Sequence, residues 1–236
     1  MNPQRISDAL SAWVGHSFGY DFSRPELCLA AMTHRSAGAE HNERLEFLGD
    51  SILNCSVARM LYDAHPLADE GALSRLRATL VSGETLAQIA GELNLGDHLR
   101  LGPGELKTGG FRRASILADA LEALLGAIFL DSGFDAAAAA VAKIMGPRMS
   151  DLPAADALKD PKTRLQEALQ AHGLALPVYT LTAATGDPHL QSFTVTCEVP
   201  VFGLAAVGEG ASRRRGEQLA AAKLLELLPP EMRRSP

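Results

Sequence analysis

Between Ile116 and Leu130 the chain carries only two charged residues, Asp119 and Glu122, in a run that is otherwise apolar at nearly every position. A helix that is hydrophobic almost all round belongs inside a domain. An acidic pair at i, i+3 on a buried helix is costly unless something neutralises it. Taken alone, the pair also fits a narrow solvent stripe, or acids favoured at a helix N-terminus by the dipole.

A second acidic group stands in Asn42-Glu-Arg-Leu-Glu-Phe-Leu-Gly-Asp50. Glu43, Glu46 and Asp50 fall at i, i+3 and i+7, so on a helix they lie within about 60° of one another. Their neighbours Leu45, Phe47 and Leu48 are apolar. Alone, this group also fits a solvated face with weak surface ion pairs to Arg44. Together, two helices offering acids amid apolar neighbours match the way a helical core builds a magnesium site. Magnesium takes few protein carboxylates and fills its remaining positions with water or phosphate oxygen. The chemistry that uses such a site is metal-assisted phosphodiester hydrolysis, in which an activated water attacks and the leaving oxygen is stabilised.

The net charge of −6 speaks against a generally basic nucleic-acid binder. Residues 1–150 hold 13 Lys+Arg against 18 Asp+Glu, and residues 151–236 hold 9 against 10. Any contact with nucleic acid must therefore come from local clusters. Cys28, Cys55 and Cys197 are scattered and odd in number, which fits buried thiols in a reducing compartment rather than a disulfide framework or zinc site. Met1 to Trp13 lacks the basic-then-apolar pattern of a signal peptide. The longest apolar runs, such as Ala123–Leu130, are too short to span a bilayer. The expectation is a soluble, cytoplasmic protein without membrane contact.

Along residues 1–150 the apolar spacing is helical. Ser23-Arg-Pro-Glu26 predicts a helix start, Glu43–Tyr62 a long helix ending before His65-Pro66, then Glu70–Val81, and Ser82–Leu93 with Ser82 as N-cap. Gly102–Gly110 reads as a loop, followed by helices over Ser115–Leu130 and Asp135–Met149. Beyond a linker the pattern changes. Asp160-Pro161 opens a helix that ends near Gly173, and Val178–Ala183 and Phe193–Val199 alternate at period two. Leu204–Val207 is a short third strand, and a last helix runs from Ser212 to about Leu228.

Asn42–Asp50 resembles the signature of ribonuclease III, the bacterial double-stranded-RNA endonuclease. The resemblance extends through Leu29-Ala-Ala-Met-Thr-His-Arg-Ser36, Asp69-Glu-Gly71, Leu73-Ser-Arg-Leu-Arg-Ala-Thr-Leu80, Leu99–Lys107 and Ser115–Glu122, nearly the whole chain. It implies an all-α endonuclease domain (residues 1–150, also the dimerisation domain), a linker (151–158) and a small α+β (α-β-β-β-α) double-stranded-RNA-binding domain (159–230). Glu46, Asp50, Asp119 and Glu122 fall on the family's metal-binding catalytic carboxylates. Glu43 and Glu70 fall on accessory acids near the scissile site, so that Asp50, Glu122, Glu43 and Glu70 form the expected catalytic set. Without the resemblance, Glu70 would read as a surface residue. Phe47 falls on an aromatic that plugs into the second subunit of a homodimer, whereas its spacing alone suggests packing within one subunit.

In the second domain the resemblance rests on Thr163-Arg-Leu-Gln-Glu167, Gly186-Asp-Pro-His189 and Ser212-Arg-Arg214. Such domains read duplex RNA by shape across two minor grooves and the phosphates between. Gln166 and Glu167 would face one minor groove and His189 the next, with Ser212, Arg213 and Arg214 at phosphates. Three arginines where a helix dipole prefers anions also suggest an external anionic partner. Glu217 stands where many such domains have a basic residue, and Gly216 replaces the usual alanine, at a cost of about 0.5–1 kcal/mol in a helix.

The implied function is hydrolysis of double-stranded RNA with Mg2+, for which Mn2+ substitutes. The products would carry 5′-phosphate and 3′-hydroxyl ends, and the substrates would be ribosomal RNA precursors and structured messenger RNAs. Two rivals remain at this level: an RNA-binding protein that keeps only the nuclease scaffold, and a metal phosphohydrolase of small molecules. The second would have no use for the C-terminal domain.

Overall fold

The computed structural model describes residues 3–152, 159–186 and 191–232. The chain divides into two compact units, Met1–Leu152 and Pro153–Pro236.

The first unit is helical: α1 (Pro3–Phe18), α2 (Pro25–Ala31), α3 (Glu43–Ala64), α4 (Glu70–Leu80), α5 (Gly83–Glu92), α6 (Pro103–Lys107) and α7 (Ala114–Ser150). Helix α7 is two helices in sequence, broken at Gly133, whose φ of 81° is open to glycine. Its first half is the buried helix expected from the sequence, with Leu121, Ala123, Leu124, Leu125, Ala127 and Ile128 fully enclosed. The apolar side of α3 (Leu45, Ile52, Leu53, Val57, Leu61) is buried in the same unit, and α3 and α7 form its most extensive helix pair. Ser82 caps α5 as expected, accepting from Thr85 N–H, and Asp69 caps α4 through Ala72 N–H.

One expectation needs correction. Gly102–Gly110 is not merely a loop, because Pro103 at the first helical position starts α6. Gly102 itself sits where a β-carbon would fall 2.2 Å from the Ser36 carbonyl oxygen. The helix start expected at Ser23–Glu26 is present, with Pro25 at the first helical position and no side-chain cap from Arg24. The carboxylate of Asp131, from far along α7, accepts from Ser23 N–H at 2.8 Å, Arg24 N–H at 3.1 Å and the Tyr20 hydroxyl at 2.6 Å. Burial pushes the Asp131 carboxyl up, but these hydrogen bonds outweigh it and hold the group below the usual range.

The second unit comprises α8 (Pro161–Ala171), β1 (Val178–Thr185), β2 (Ser192–Val199), β3 (Leu204–Gly210) and α9 (Arg213–Leu227). The strands form an antiparallel sheet in the order β1-β2-β3, with a bulge in β1 between Leu181 and Ala183. Register pairs Tyr179 with Cys197 and Cys197 with Ala206. Period-two burial in β2 places Val195, Cys197 and Val199 inside. The core there is Leu165, Leu169, Cys197, Val199, Ala220, Ala221 and Leu224. Gly216 is no mere weakness in α9. A β-carbon there would come 2.9 Å from Phe193 O, and one at Gly208 would come 2.3 Å from Gly216 O. Both glycines let α9 lie directly on the sheet.

Candidate metal centre and nucleic-acid interface

The candidate metal centre depends on how closely α3 and α7 cross. A β-carbon on Gly49 would stand 1.8 Å from Glu122 O, and one on Gly126 would stand 2.3 Å from Leu45 O. The two backbones touch at these glycines, and that contact brings the acids of one helix to those of the other. Oxygens of Glu46, Asp119 and Glu122 lie within 4.8 Å of one another, each on a half-buried side chain.

Charge repulsion shows in their protonation. Glu122 is pushed up to about 8, by burial first and then by the charges of Asp50, Glu46 and Asp119. Glu46 is raised by burial and by Asp119, Glu43 and Asp50. Asp119 is raised by burial, against the opposing pull of His34 and Arg35. Such a group is stable only with bound protons or a cation, and an all-oxygen donor set suits a hard divalent ion.

The remaining expected acids are placed differently. Asp50 lies outside the tight trio on the exposed side of α3, where Asn54 Nδ2 donates to its Oδ1 at 2.9 Å, though its charge still acts on Glu122. Glu43 is exposed and paired with Arg35 at 3.2 Å. Glu70 stands in the first turn of α4 and accepts from Ser74 Oγ at 2.7 Å. Phe47 does not pack within the subunit: it is 79% exposed.

Glu43, Glu46 and Asp119 line a cleft of about 420 Å³ together with His34, Arg35, Asn42, Glu105 and Arg113. Sequence reasoning assigned no role to its cations. Their placement comes from two distant segments joined by backbone, since Arg100 N–H donates to Met32 O at 2.8 Å and His34 N–H to Arg100 O at 3.0 Å. Ser36 Oγ accepts from Gly102 N–H at 2.9 Å, and Arg113 is anchored to Glu105 at 3.0 Å. The signal for His34 and Arg35 lay in the Leu29–Ser36 segment and that for Glu105 in Leu99–Lys107, whereas Arg113 falls outside both.

In the second unit, Gln166, Arg213 and Arg214 converge on a cleft of about 540 Å³ lined also by Asp160, Lys162, Thr163 and Glu217. Ser212 caps α9, accepting from Arg215 N–H at 3.2 Å. Glu167 turns to Lys159 at 2.7 Å. His189 lies outside the described residues. Lys162, Thr163 and Glu217 were not among the expected contact residues.

A family model described as Ribonuclease-III-like matches residues 24–148, and one described as Double-stranded RNA binding motif matches residues 161–228. Ribonuclease 3 of Thiobacillus denitrificans is 58% identical over 90% of this chain and 94% of its own length. The chain belongs to the ribonuclease III family. Ribonuclease 3 of Vibrio cholerae is 54% identical over 89% of this chain and 93% of its own. Among solved structures, a ribonuclease III nuclease domain from Campylobacter jejuni aligns with a TM-score of 0.55 at 41% identity, covering 58% of this chain and 94% of that one. A second structure of that domain, at 42% identity and TM-score 0.54 over 57% and 95%, is described by flexibility in a region involved in dimer formation. As a member of the ribonuclease III family, this chain is an endoribonuclease acting on double-stranded RNA. No helix among the described residues is long and apolar enough to cross a membrane.

Proposed function

We propose that this ribonuclease III hydrolyses duplex RNA with a divalent ion, Mg2+ or in its place Mn2+, held by Glu46, Asp119 and Glu122 with Asp50 completing the set. The observation that carries this reading is the meeting of three carboxylates from α3 and α7 within 4.8 Å, each raised by burial, with repulsion from neighbouring acids adding to the rise at Glu46 and Glu122. When bound, the ion supplies an activated water and stabilises the leaving oxygen. The protein's own part is to hold Asp50 and Glu122 beside that ion and to aim the phosphodiester. Arg35 holds Glu43 at the cleft wall, and Glu70 on α4 completes the acids assigned to the reaction. The products are 5′-phosphate and 3′-hydroxyl ends.

Gln166, Glu167, His189, Ser212, Arg213 and Arg214 are the proposed RNA contacts, in a domain running from 159 to 230 after a linker at 151–158. The proposed homodimer forms through residues 1–150 with Phe47 at the interface, supported by that side chain's exposure. Cytoplasmic processing of ribosomal RNA precursors and structured messenger RNAs is the proposed role. Long duplex RNA incubated with and without Mg2+, with product ends determined, tests the chemistry. Glu122→Gln should abolish cleavage and preserve gel-shift binding, and cleavage equal to wild type would sink the assignment.

A further inference from the structure

The acid that departs from the usual basic pattern, Glu217, lies on the first turns of α9 with its side chain only 12% exposed. Its Oε2 accepts from Lys162 Nζ on α8, and its Oε1 accepts from Arg213 Nε at 3.0 Å. Lys162 is held from its other side by the ring of Tyr179, 4.6 Å from its ammonium. The charge of Lys162, which lines the same cleft as Arg213, thus neutralises Glu217. Arg213 differs, being 60% exposed. Among the described residues its guanidinium is paired through Nε alone, which leaves the outer Nη edge for the cleft that Arg213 lines with Arg214 and Gln166. An Arg gripped on its Nε edge still presents two donors in the fork geometry that suits a phosphate.

We propose that Glu217 is a positioning residue for duplex RNA: neutralised by Lys162, it clamps the Nε edge of Arg213 so that the outer edge faces a backbone phosphate. This rests on the reading of Arg213 as an RNA contact. The trio carries a net charge of +1, delivered at one orientation rather than spread over two mobile side chains. Less side-chain freedom is then lost when RNA binds. Glu217 is not needed simply to tie α8 to α9. Asp160 does that by accepting from Gln218 Nε2, and Leu165, Leu169, Ala220, Ala221 and Leu224 share one core. The hydrogen bond from Lys162, joined by that from Arg213, outweighs burial and keeps the Glu217 carboxyl below its usual range, so it stays charged through neutral pH.

The test is binding of the full chain to a duplex RNA in chelator, so that nothing is cut, across a range of salt. Arg213→Ala should weaken binding and reduce the salt slope by about one. Glu217→Gln should weaken it about three- to tenfold, and adding Arg213→Ala to Glu217→Gln should cost little more, since coupled residues are not additive. Arg213→Lys, which keeps the charge and leaves the core untouched, should bind more weakly than wild type with its salt slope retained. Tighter binding by Glu217→Gln would overturn the proposal, because the carboxylate would then be competing with phosphate. Additive losses would reduce Glu217 to a structural tie, and wild-type binding by Arg213→Lys would show that orientation is irrelevant. An Arg213→Ala variant with unchanged affinity would remove the RNA-contact reading itself, separately from the role of Glu217.

Discussion

Gly126→Ala is the sharpest perturbation of the metal centre, because it adds one methyl group where α7 meets α3. The new β-carbon would lie 2.3 Å from Leu45 O and 3.0 Å from Gly49 N. Even a weak C–H···O contact needs about 3.3 Å, so the helices must part by about 1 Å. Overpacking of this kind costs about 1–3 kcal/mol, and replacing a helical glycine with alanine returns about 0.5–1 kcal/mol. The net loss, about 0–2.5 kcal/mol, leaves the unit folded. Catalysis is less tolerant, since a 1 Å misplacement costs on the order of 100-fold. Glu46 sits on one helix and Asp119 and Glu122 on the other, so the trio spreads as the helices separate. Single-turnover cleavage of duplex RNA should therefore fall about 100-fold while melting temperature drops by only a few degrees. Gly91→Ala, on α5 with nothing within 4 Å of the added carbon, is the control and should match or exceed wild-type stability. Wild-type cleavage and metal dependence in Gly126→Ala would refute the idea that the glycine crossing sets the carboxylate spacing.

Three further outcomes are expected. Glu122 sits at about 8 in the fold against 4.5 for an ordinary glutamate. Its stabilising share in the metal-free protein is therefore complete below about pH 4.5 and lost as pH rises through about 8; Glu122→Gln should flatten that decline in thermal melts, and an equally steep decline in the variant would count against it. Asp131 is the opposite case, held low, so its contribution is present above the ordinary aspartate range and lost in acid below it. Asp131→Asn should cost about 2–3 kcal/mol in urea unfolding at neutral pH, and a neutral effect would mean that its contacts with Tyr20, Ser23 and Arg24 contribute nothing. Phe47→Glu should shift the mass by light scattering from dimer to monomer, and an unchanged mass would remove Phe47 from the interface.

The acids of the centre were legible because helical spacing and an apolar setting are local properties. The means of bringing them together was not. Gly49 and Gly126 each read as a small helix-propensity cost, and only the approach of a second backbone turns that cost into a requirement. Asp131 was illegible as a cap for the same reason: its partners at Tyr20–Arg24 lie far away in sequence. Pro103 signalled a helix start within Gly102–Gly110, but the surrounding glycines masked it. Phe47 shows a different limit. Its spacing matches a core position, and nothing local says that its own subunit leaves it exposed. The cations His34 and Arg35 could be named as part of a resemblance, yet the cleft they share with Arg113 depends on the backbone pairing of Thr33 with Arg100.

The α3–α7 crossing also orders the protein in time. Glu46 leaves the ribosome well before Asp119 and Glu122, and until α7 follows, the apolar side of α3 lacks its most extensive partner. Contacts so far apart in sequence form late, after the entropy of closing the loop between them has been spent. A nascent chain that already carries its first acids therefore cannot yet bring Glu46 to Asp119 and Glu122.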